Sequence, residues 1–252
     1  MTDTSTPLLG KVALVTGGSR GLGRSMVLGF ARAGADVVIA SRKLESCEAL
    51  AREVETSTGR SALPVACHVG RWEDLDRLVE LSYDRFGHVD VLVNNAGMSP
   101  LYQSLADVGE DLYDKVLAVN LKGPFRLMAL IGTRMVQGDG GSIINISSTA
   151  AIHPTPNVIP YAAAKAGLNA MTEAFALAFG PKVRVNCIMP GPFLTDISKA
   201  WNLEVFNEQA RRFALRRGGQ PDEIVGAALY FATGASSYTT GAVLRIDGGS
   251  GM

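Results

Sequence analysis

The feature that most constrains this chain lies near its start. Val12-Ala-Leu-Val15 is a short apolar run of the kind a buried strand needs, and it leads directly into Thr16-Gly-Gly-Ser-Arg-Gly-Leu-Gly23. The segment after it keeps Met26, Val27 and Phe30 on one helical face and stops at Gly34. Val37-Val-Ile-Ala40 is a second apolar run. Strand, glycine turn, helix and strand within about thirty residues make a βαβ unit. Gly17, Gly21 and Gly23 allow a tight turn and the close approach of backbone to a pyrophosphate. The helix N-terminus beyond them offers unpaired N–H groups to the same anion. A glycine-rich turn without a ligand is the plainer alternative; the strand before the glycines and the helix after them argue against it.

The alternation continues to the end of the chain. Helices are predicted over Leu44 to Glu55, ending before Gly59, and over the stretch carrying Leu75, Leu78, Val79, Ser82 and Phe86 at helical spacing. One long helical region is predicted over Leu112 to Val136, another from Tyr161 to Phe179, and a last one over Ile224 to Phe231. Strands are predicted at Ala62–Ala66, with Pro64 a blemish, at Val89–Val93, Gly141–Ile146, Val183–Ile188 and Ala242–Ile246. No repeat, linker or composition shift divides residues 1–252. The expected fold is therefore α/β: a single domain with a Rossmann-like, doubly wound parallel sheet. In such sheets ligands sit at the carboxyl ends of the strands. The glycine turn, Asn94-Asn-Ala-Gly97, Ser147-Ser148 and Pro190-Gly191 all fall there.

Charge and cysteine usage narrow the class of function. The chain has 24 basic and 24 acidic residues in 252, so no basic excess points to nucleic acid or an anionic membrane. Cys47, Cys67 and Cys187 are far apart and lack metal-ligand spacing, which suggests free thiols in a reducing compartment and no metal site. Met1-Thr-Asp-Thr-Ser-Thr-Pro7 lacks the basic start and apolar core of a signal peptide, no apolar run is long enough for a bilayer, and the C-terminus is not a peroxisomal address. The expected location is the cytoplasm.

Tyr161-Ala-Ala-Ala-Lys165 carries the chemistry. Tyrosine and lysine at this spacing share a helix face. A neighbouring ammonium favours the phenolate and is expected to lower the tyrosine pKa towards the range useful for general acid–base work. Alone, the pair reads first as a surface contact, because the pattern is common by chance.

With Asn120 in Val119-Asn-Leu-Lys-Gly123, Ser148, Asp247-Gly-Gly249 and the motifs above, the chain resembles the short-chain dehydrogenase/reductase family over Lys11 to Gly249. The resemblance implies direct hydride transfer between a nicotinamide and a carbonyl or alcohol. It assigns Tyr161 as proton donor in reduction and Ser148, rather than Ser147, as hydrogen-bond donor to the reacting oxygen. Lys165 lowers the tyrosine pKa and holds the nicotinamide ribose, and Asn120 holds a water linking Lys165 to solvent. Cofactor contacts are implied for Gly17, Ser19, Arg20, Gly21, Leu22, Gly23, Ser41, Arg42, His68, Val69, Asn95, Ala96, Gly97, Tyr161, Lys165, Pro190, Gly191 and Thr195. Plainer readings stand beside some of these: Asn120 as a helix cap or kink, Thr195 as a loop residue, Asp247 as a turn residue. His68-Val69 departs from the Asp-Val often found in the family, so His68 either bonds the adenine or lies on the surface. Ala178-Phe-Gly-Pro-Lys-Val183 is shorter than usual. Family resemblance also implies a homo-oligomer, a tetramer.

The second strand ends in Ser41-Arg42-Lys43, with no acid before Glu45. A carboxylate there would bind the free ribose hydroxyls of NAD and repel the phosphate of NADP. Ser41, Arg42 and Arg20 instead suit a phosphate, so NADPH is the expected cofactor. The pattern is nearest to NADPH-dependent carbonyl and retinal reductases acting on a small-molecule ketone, aldehyde or alcohol. A 3-oxoacyl-carrier-protein or 3-oxoacyl-CoA reductase is the alternative, and a non-catalytic NADPH sensor a remote one. Substrate choice is expected at Met98–Tyr102, at Ile152–Pro160, where the mechanism does not need His153, and in a lid of about 193–213 that holds Leu194, Ile197, Trp201, Leu203, Val205 and Phe206, unless these pack inward or against a partner.

Overall fold

The computed structural model describes residues 6–195, 198 and 203–250. Seven strands form one sheet: β1 (Val12–Thr16), β2 (Asp36–Ser41), β3 (Ala62–Ala66), β4 (Val91–Asn94), β5 (Gly141–Ile146), β6 (Val183–Pro190) and β7 (Val243–Ile246). Their spatial order is β3-β2-β1-β4-β5-β6-β7, and every neighbouring pair is parallel. The chain winds outward from β1 to β3, crosses back, and builds the other half from β4. The reversal falls between β1 and β4, so the glycine turn after β1 stands at the topological switch point.

Pleating divides the core. Ala13 and Val15 of β1 face α1 (Gly21–Arg32), α2 (Leu44–Thr58) and α8 (Val225–Ala232), joining Met26, Phe30, Leu50 and Phe231. Val12 and Leu14 face the other layer, with Leu75 and Leu78 of α3 (Trp72–Phe86), Met128 and Ile131 of α5 (Gly123–Gln137) and Leu168 of α6 (Ile159–Phe179). Each fully buried side chain of this size contributes about 1.5–3 kcal/mol. Pro64 is accommodated because β3 is the edge strand and pairs only with β2.

Several boundaries differ from expectation, and three of them have a clear physical cause. α2 continues past Glu55 to Thr58, where Gly59 takes a left-handed φ of 68°; Ser57 and Thr58 turn their hydroxyls onto Glu53 O and Val54 O within the helix. β4 begins at Val91 rather than Val89, because the Asp90 carboxylate binds Val12 N–H at 2.8 Å in place of a ladder bond. The region Leu112 to Val136 is two helices, α4 (Glu110–Leu117) and α5, joined by a wide π-type turn at Ala118–Lys122. Gly123 N–H there reaches back five residues to Ala118 O. The wide turn carries Asn120, fully buried.

In the expected lid, α7 (Leu203–Ala210) is a helix. Phe193 and Phe206 are buried, and the Phe206 ring lies 6.4 Å from that of Phe213. These aromatics pack inward, whereas Val205 is 52% exposed. Ile197 and Trp201 lie outside the described residues.

Candidate active site

The glycine turn is fastened to the end of β4. Thr16 Oγ1 donates to Val93 O (3.2 Å) and accepts from the N–H groups of Asn95 (3.0 Å) and Ala96 (3.1 Å). The Asn95 amide donates to Thr16 O (2.9 Å) and Gly17 O (3.2 Å). There is no room for side chains in this joint. A Cβ on Gly17 would lie 2.9 Å from Ala96 Cα, and one on Gly23 would lie 2.2 Å from Gly17 O. Arg20 is the extended residue before α1 and gives it no side-chain cap. The first N–H groups of α1, at Gly21, Leu22 and Gly23, therefore have no side-chain partner at the helix start. Gly21, with φ 53°, presents its Cβ position to Thr195 at 3.5 Å. A bare backbone cradle with uncapped N–H groups fits a dinucleotide pyrophosphate.

At the end of β2 the Ser19 and Ser41 hydroxyls lie 3.0 Å apart, and Ser19 N–H points at Ser41 Oγ at 3.4 Å. Arg20, Arg42 and Lys43 are exposed, and neither arginine makes an ion pair among the described residues. His68 is half-buried beyond β3; its backbone N–H donates to Asp74 (2.8 Å), and its Nδ1 accepts from Gly70 N–H (3.2 Å). The neutral ring thus keeps its proton on Nε2. Val69 is buried, and its carbonyl lies 2.3 Å from where a Cβ on Gly123 would stand, which ties this loop to the wide turn.

The Tyr161 end is built from α6, β5 and the wide turn. Tyr161 and Lys165 lie in the first two turns of α6. Lys165 is 3% exposed, and Nζ donates to Ile146 O at the end of β5 (2.8 Å). Ser147 donates to Lys165 O (3.3 Å), which makes it a brace between β5 and α6. Ser148 Oγ accepts from Ala150 N–H (3.2 Å) and stands near the Tyr161 phenol. Asn120 Oδ1 accepts from Met98 N–H (3.3 Å), and Nδ2 donates to Met98 O (2.8 Å) and Val116 O (2.9 Å). A Cβ on Gly97 would come within 3.0 Å of Asn120 Oδ1 and 3.7 Å of Lys165 Nζ, so Gly97 also keeps space open between those two groups. Gly191 N–H donates to Ile246 O (2.9 Å), holding the Pro190-Gly191 turn to β7. Asp247 accepts from Gly249 N–H (3.0 Å), as a turn residue does.

Electrostatics correct one expectation. Lys165 does not pull the Tyr161 phenol down. Burial holds it above its ordinary value, and the Ser148 hydrogen bond is what opposes that. The lysine ammonium is 5.7 Å from the tyrosine ring centroid and is itself pulled down by burial to about 8. Cys187, beside it, is pushed up by burial to about 12.

Sequence reading passed over Thr16, whose partners lie 77 to 80 residues away. It also passed over the buried ladder Asn94–Asn145–Thr172, with bonds of 2.9 Å, whose signal was only the polar residues ending apolar strands.

A glycine cradle at the switch point of a parallel sheet, with a buried lysine near a serine and a tyrosine, is the architecture of a dinucleotide-binding α/β protein. Residues 17–251 match the family described as Enoyl-(Acyl carrier protein) reductase. Dehydrogenase/reductase SDR family member 4 of Bos taurus is 38% identical over 249 residues, covering 97% of this chain and 88% of that protein. The 3-oxoacyl-[acyl-carrier-protein] reductase of Chlamydia trachomatis is 37% identical over 243 residues, covering 96% and 98%. The solved structure of an NADPH-dependent 3-quinuclidinone reductase from Rhodotorula rubra superposes with a TM-score of 0.92 at 28% identity, over 98% of this chain and 94% of that one. The chain belongs to the short-chain dehydrogenase/reductase family of oxidoreductases.

Proposed function

We propose that the protein reduces a ketone or aldehyde to an alcohol with NADPH. The observation that carries this reading is the Ser148–Tyr161 hydroxyl pair, standing over the buried Lys165 at the carboxyl edge of the sheet that also bears the glycine cradle. The cofactor supplies the hydride. Tyr161 gives a proton to the developing alkoxide, and Ser148 donates a hydrogen bond to the same oxygen. Lys165 binds the nicotinamide ribose and, with Asn120, takes part in returning a proton to Tyr161. Thr195 faces the nicotinamide end from beside Gly21.

The Ser19–Ser41 hydroxyl pair, with Arg20 and Arg42 free in solvent around it, supports NADPH over NADH. The NADPH dependence named for the Rhodotorula reductase agrees. His68 addresses the adenine from Nε2. The relative acting on 3-oxoacyl-carrier-protein supports reduction of a 3-oxoacyl thioester as the second reading. A non-catalytic sensor is disfavoured by the presence of Ser148, Tyr161 and Lys165 together. A homotetramer is the proposed assembly. Its support is the apolar and small-residue outer face of α5 and α6, where Phe125 is 44% and Leu177 87% exposed. No helix among the described residues is long and apolar enough to cross a membrane, and cytoplasmic location belongs to the same proposal.

The test is absorbance loss of NADPH on addition of ketones, aldehydes, quinones and 3-oxoacyl thioesters. Turnover with one carbonyl class that is lost in Tyr161→Phe is expected, and Lys165→Met should weaken both turnover and NADPH affinity. Turnover that survives Tyr161→Phe would sink the assignment.

A further inference from the structure

Between β6 and α8 the chain leaves the sheet and returns to it through a narrow neck. Leu194 N–H donates to Gly219 O (2.8 Å) and Gly219 N–H to Pro192 O (3.0 Å), a short parallel bridge. The Phe193 ring lies against Gly219, 2.8 Å from where a Cβ would stand. Packing does not wedge the other flank: a cavity of about 60 Å³ opens there among Phe193, Leu215, Arg217, Gly219 and Ile246. An ion pair ties the neck down instead. Arg217 donates twice to the Glu223 carboxylate, at 2.6 Å each, and once to Gly218 O at 3.1 Å. Glu223 also accepts from Gln220 N–H at 2.6 Å. An exposed pair contributes little unless its geometry is bidentate and its partners are held, as both are here. Arg216, just before, has a φ of 53°, the one left-handed non-glycine among the described residues. A side chain is kept in that region only where its surroundings fix the backbone.

Both ends of this run of contacts stand on α1. Glu223 belongs to the short turn of helix Pro221–Ile224, whose Ile224 is fully buried in the core that holds Met26 and Phe30 of α1. Val225, the next residue, fits against Gly29 of α1, 2.4 Å from where a Cβ would stand. At the other end Thr195 follows Leu194 and lies 3.5 Å from the Cβ position of Gly21, the first residue of α1. The contacts close a ring: α1, Glu223, Arg217, Gly219, Leu194, Thr195 and back to Gly21. Resting on the reading of Thr195 given above, we infer that Arg217 and Glu223 are positioning residues for the nicotinamide end of the site. Their pair fixes the neck, and the neck fixes where Thr195 stands over the cradle. The effect on a cofactor passes through the neck, so it falls on the nicotinamide half and spares the adenosine half, which Ser41 and Arg42 address from the end of β2.

The test measures binding of NADPH and of 2′-phospho-ADP-ribose, the same molecule without its nicotinamide, by calorimetry. Wild type should prefer NADPH over the fragment by at least about tenfold. Arg217→Ala and Glu223→Gln should each cut that preference at least about threefold, while affinity for the fragment stays within about twofold. Thr195→Ala should cut it too, and Arg217→Ala added to Thr195→Ala should take away nothing more, because both act at one place. A merely structural role would weaken NADPH and fragment alike and would add to the Thr195 loss. Either of those results, or an unchanged preference in the Arg217 and Glu223 variants, would overturn the inference. Should Arg217→Ala not fold, Arg217→Lys, which keeps the charge but loses the fork, takes its place with the same outcomes. No carbonyl enters the measurement, so a failed search for a substrate leaves its result standing. If wild type binds neither molecule, the NADPH reading fails first, and NADH against ADP-ribose then decides in the same way. No preference for the nicotinamide-bearing member of either pair overturns the inference.

Discussion

At the Ser41 end of the site, the side chains suited to reading the cofactor stand in water. Arg20 and Arg42 are exposed cations without ion-pair partners among the described residues, and the Ser41 hydroxyl meets the hydroxyl and N–H of Ser19. At the Tyr161 end, the groups around the phenol are tied into the frame. Lys165 is bonded to β5, Ser147 braces Lys165, and Asn120 binds two backbone carbonyls. The charges at the first end are ones the fold does not need. Lys165, Ser147 and Asn120 at the second are also used by the fold, so replacing them costs structure as well.

Four measurements break or sharpen this contrast. The largest expected effect is Tyr161→Phe, which removes the proton donor but no backbone contact. Turnover should fall roughly 10²–10⁴-fold, the usual worth of a positioned general acid, with NADPH affinity nearly intact. Asn120→Ala should lose activity and stability together. Leaving Met98 O and Val116 O without their amide donor costs about 1–3 kcal/mol, visible as an earlier denaturant midpoint. If its stability matched wild type, the two ends would not differ in kind. Ser41→Asp with Arg42→Leu should reverse a preference for NADPH of at least about tenfold in kcat/KM, some 1.4 kcal/mol, and leave Tm unmoved. An unmodified enzyme using NADH equally well would show that the exposed end does not read the phosphate.

The smallest effect is a pH signature. The folded-state pKa of Lys165 lies near 8, below its ordinary 10.5, so the unfolded chain binds more protons between those values. Stability from this group is therefore depressed below about pH 8 and recovers as pH rises towards 10.5. The Tm of wild type relative to Lys165→Met should rise through that window. A flat difference would place the ammonium in water.

The strands were legible because a buried parallel strand must be apolar on both faces, and Val12–Val15, Val37–Ala40 and Ile143–Ile146 say so directly. The glycine cradle was legible for a related reason: only glycine fits where Gly23 meets Gly17 O. What stayed hidden depends on partners far along the chain. The Tyr102 hydroxyl reads as one more aromatic until Pro156 and Ile159 are brought to it. The wide turn at Ala118–Lys122 was read as plain helix, because its residues are helix-compatible and the extra residue per turn leaves no mark in local apolar spacing. The expected lowering of the Tyr161 pKa failed on geometry. Helical spacing sets which residues are neighbours, but not how deeply both are buried.

Asn120 bears on how relatives of this chain are judged. Its amide fills gaps in the backbone bonding of the turn that carries it, whether or not any substrate is ever turned over. A descendant that had abandoned chemistry and kept only nucleotide binding would still be held to asparagine at this position by folding alone. Tyr161 has no such second duty and would drift. On the proposed mechanism, the tyrosine is the witness to activity among copies of this gene, whereas the asparagine testifies to folding as well.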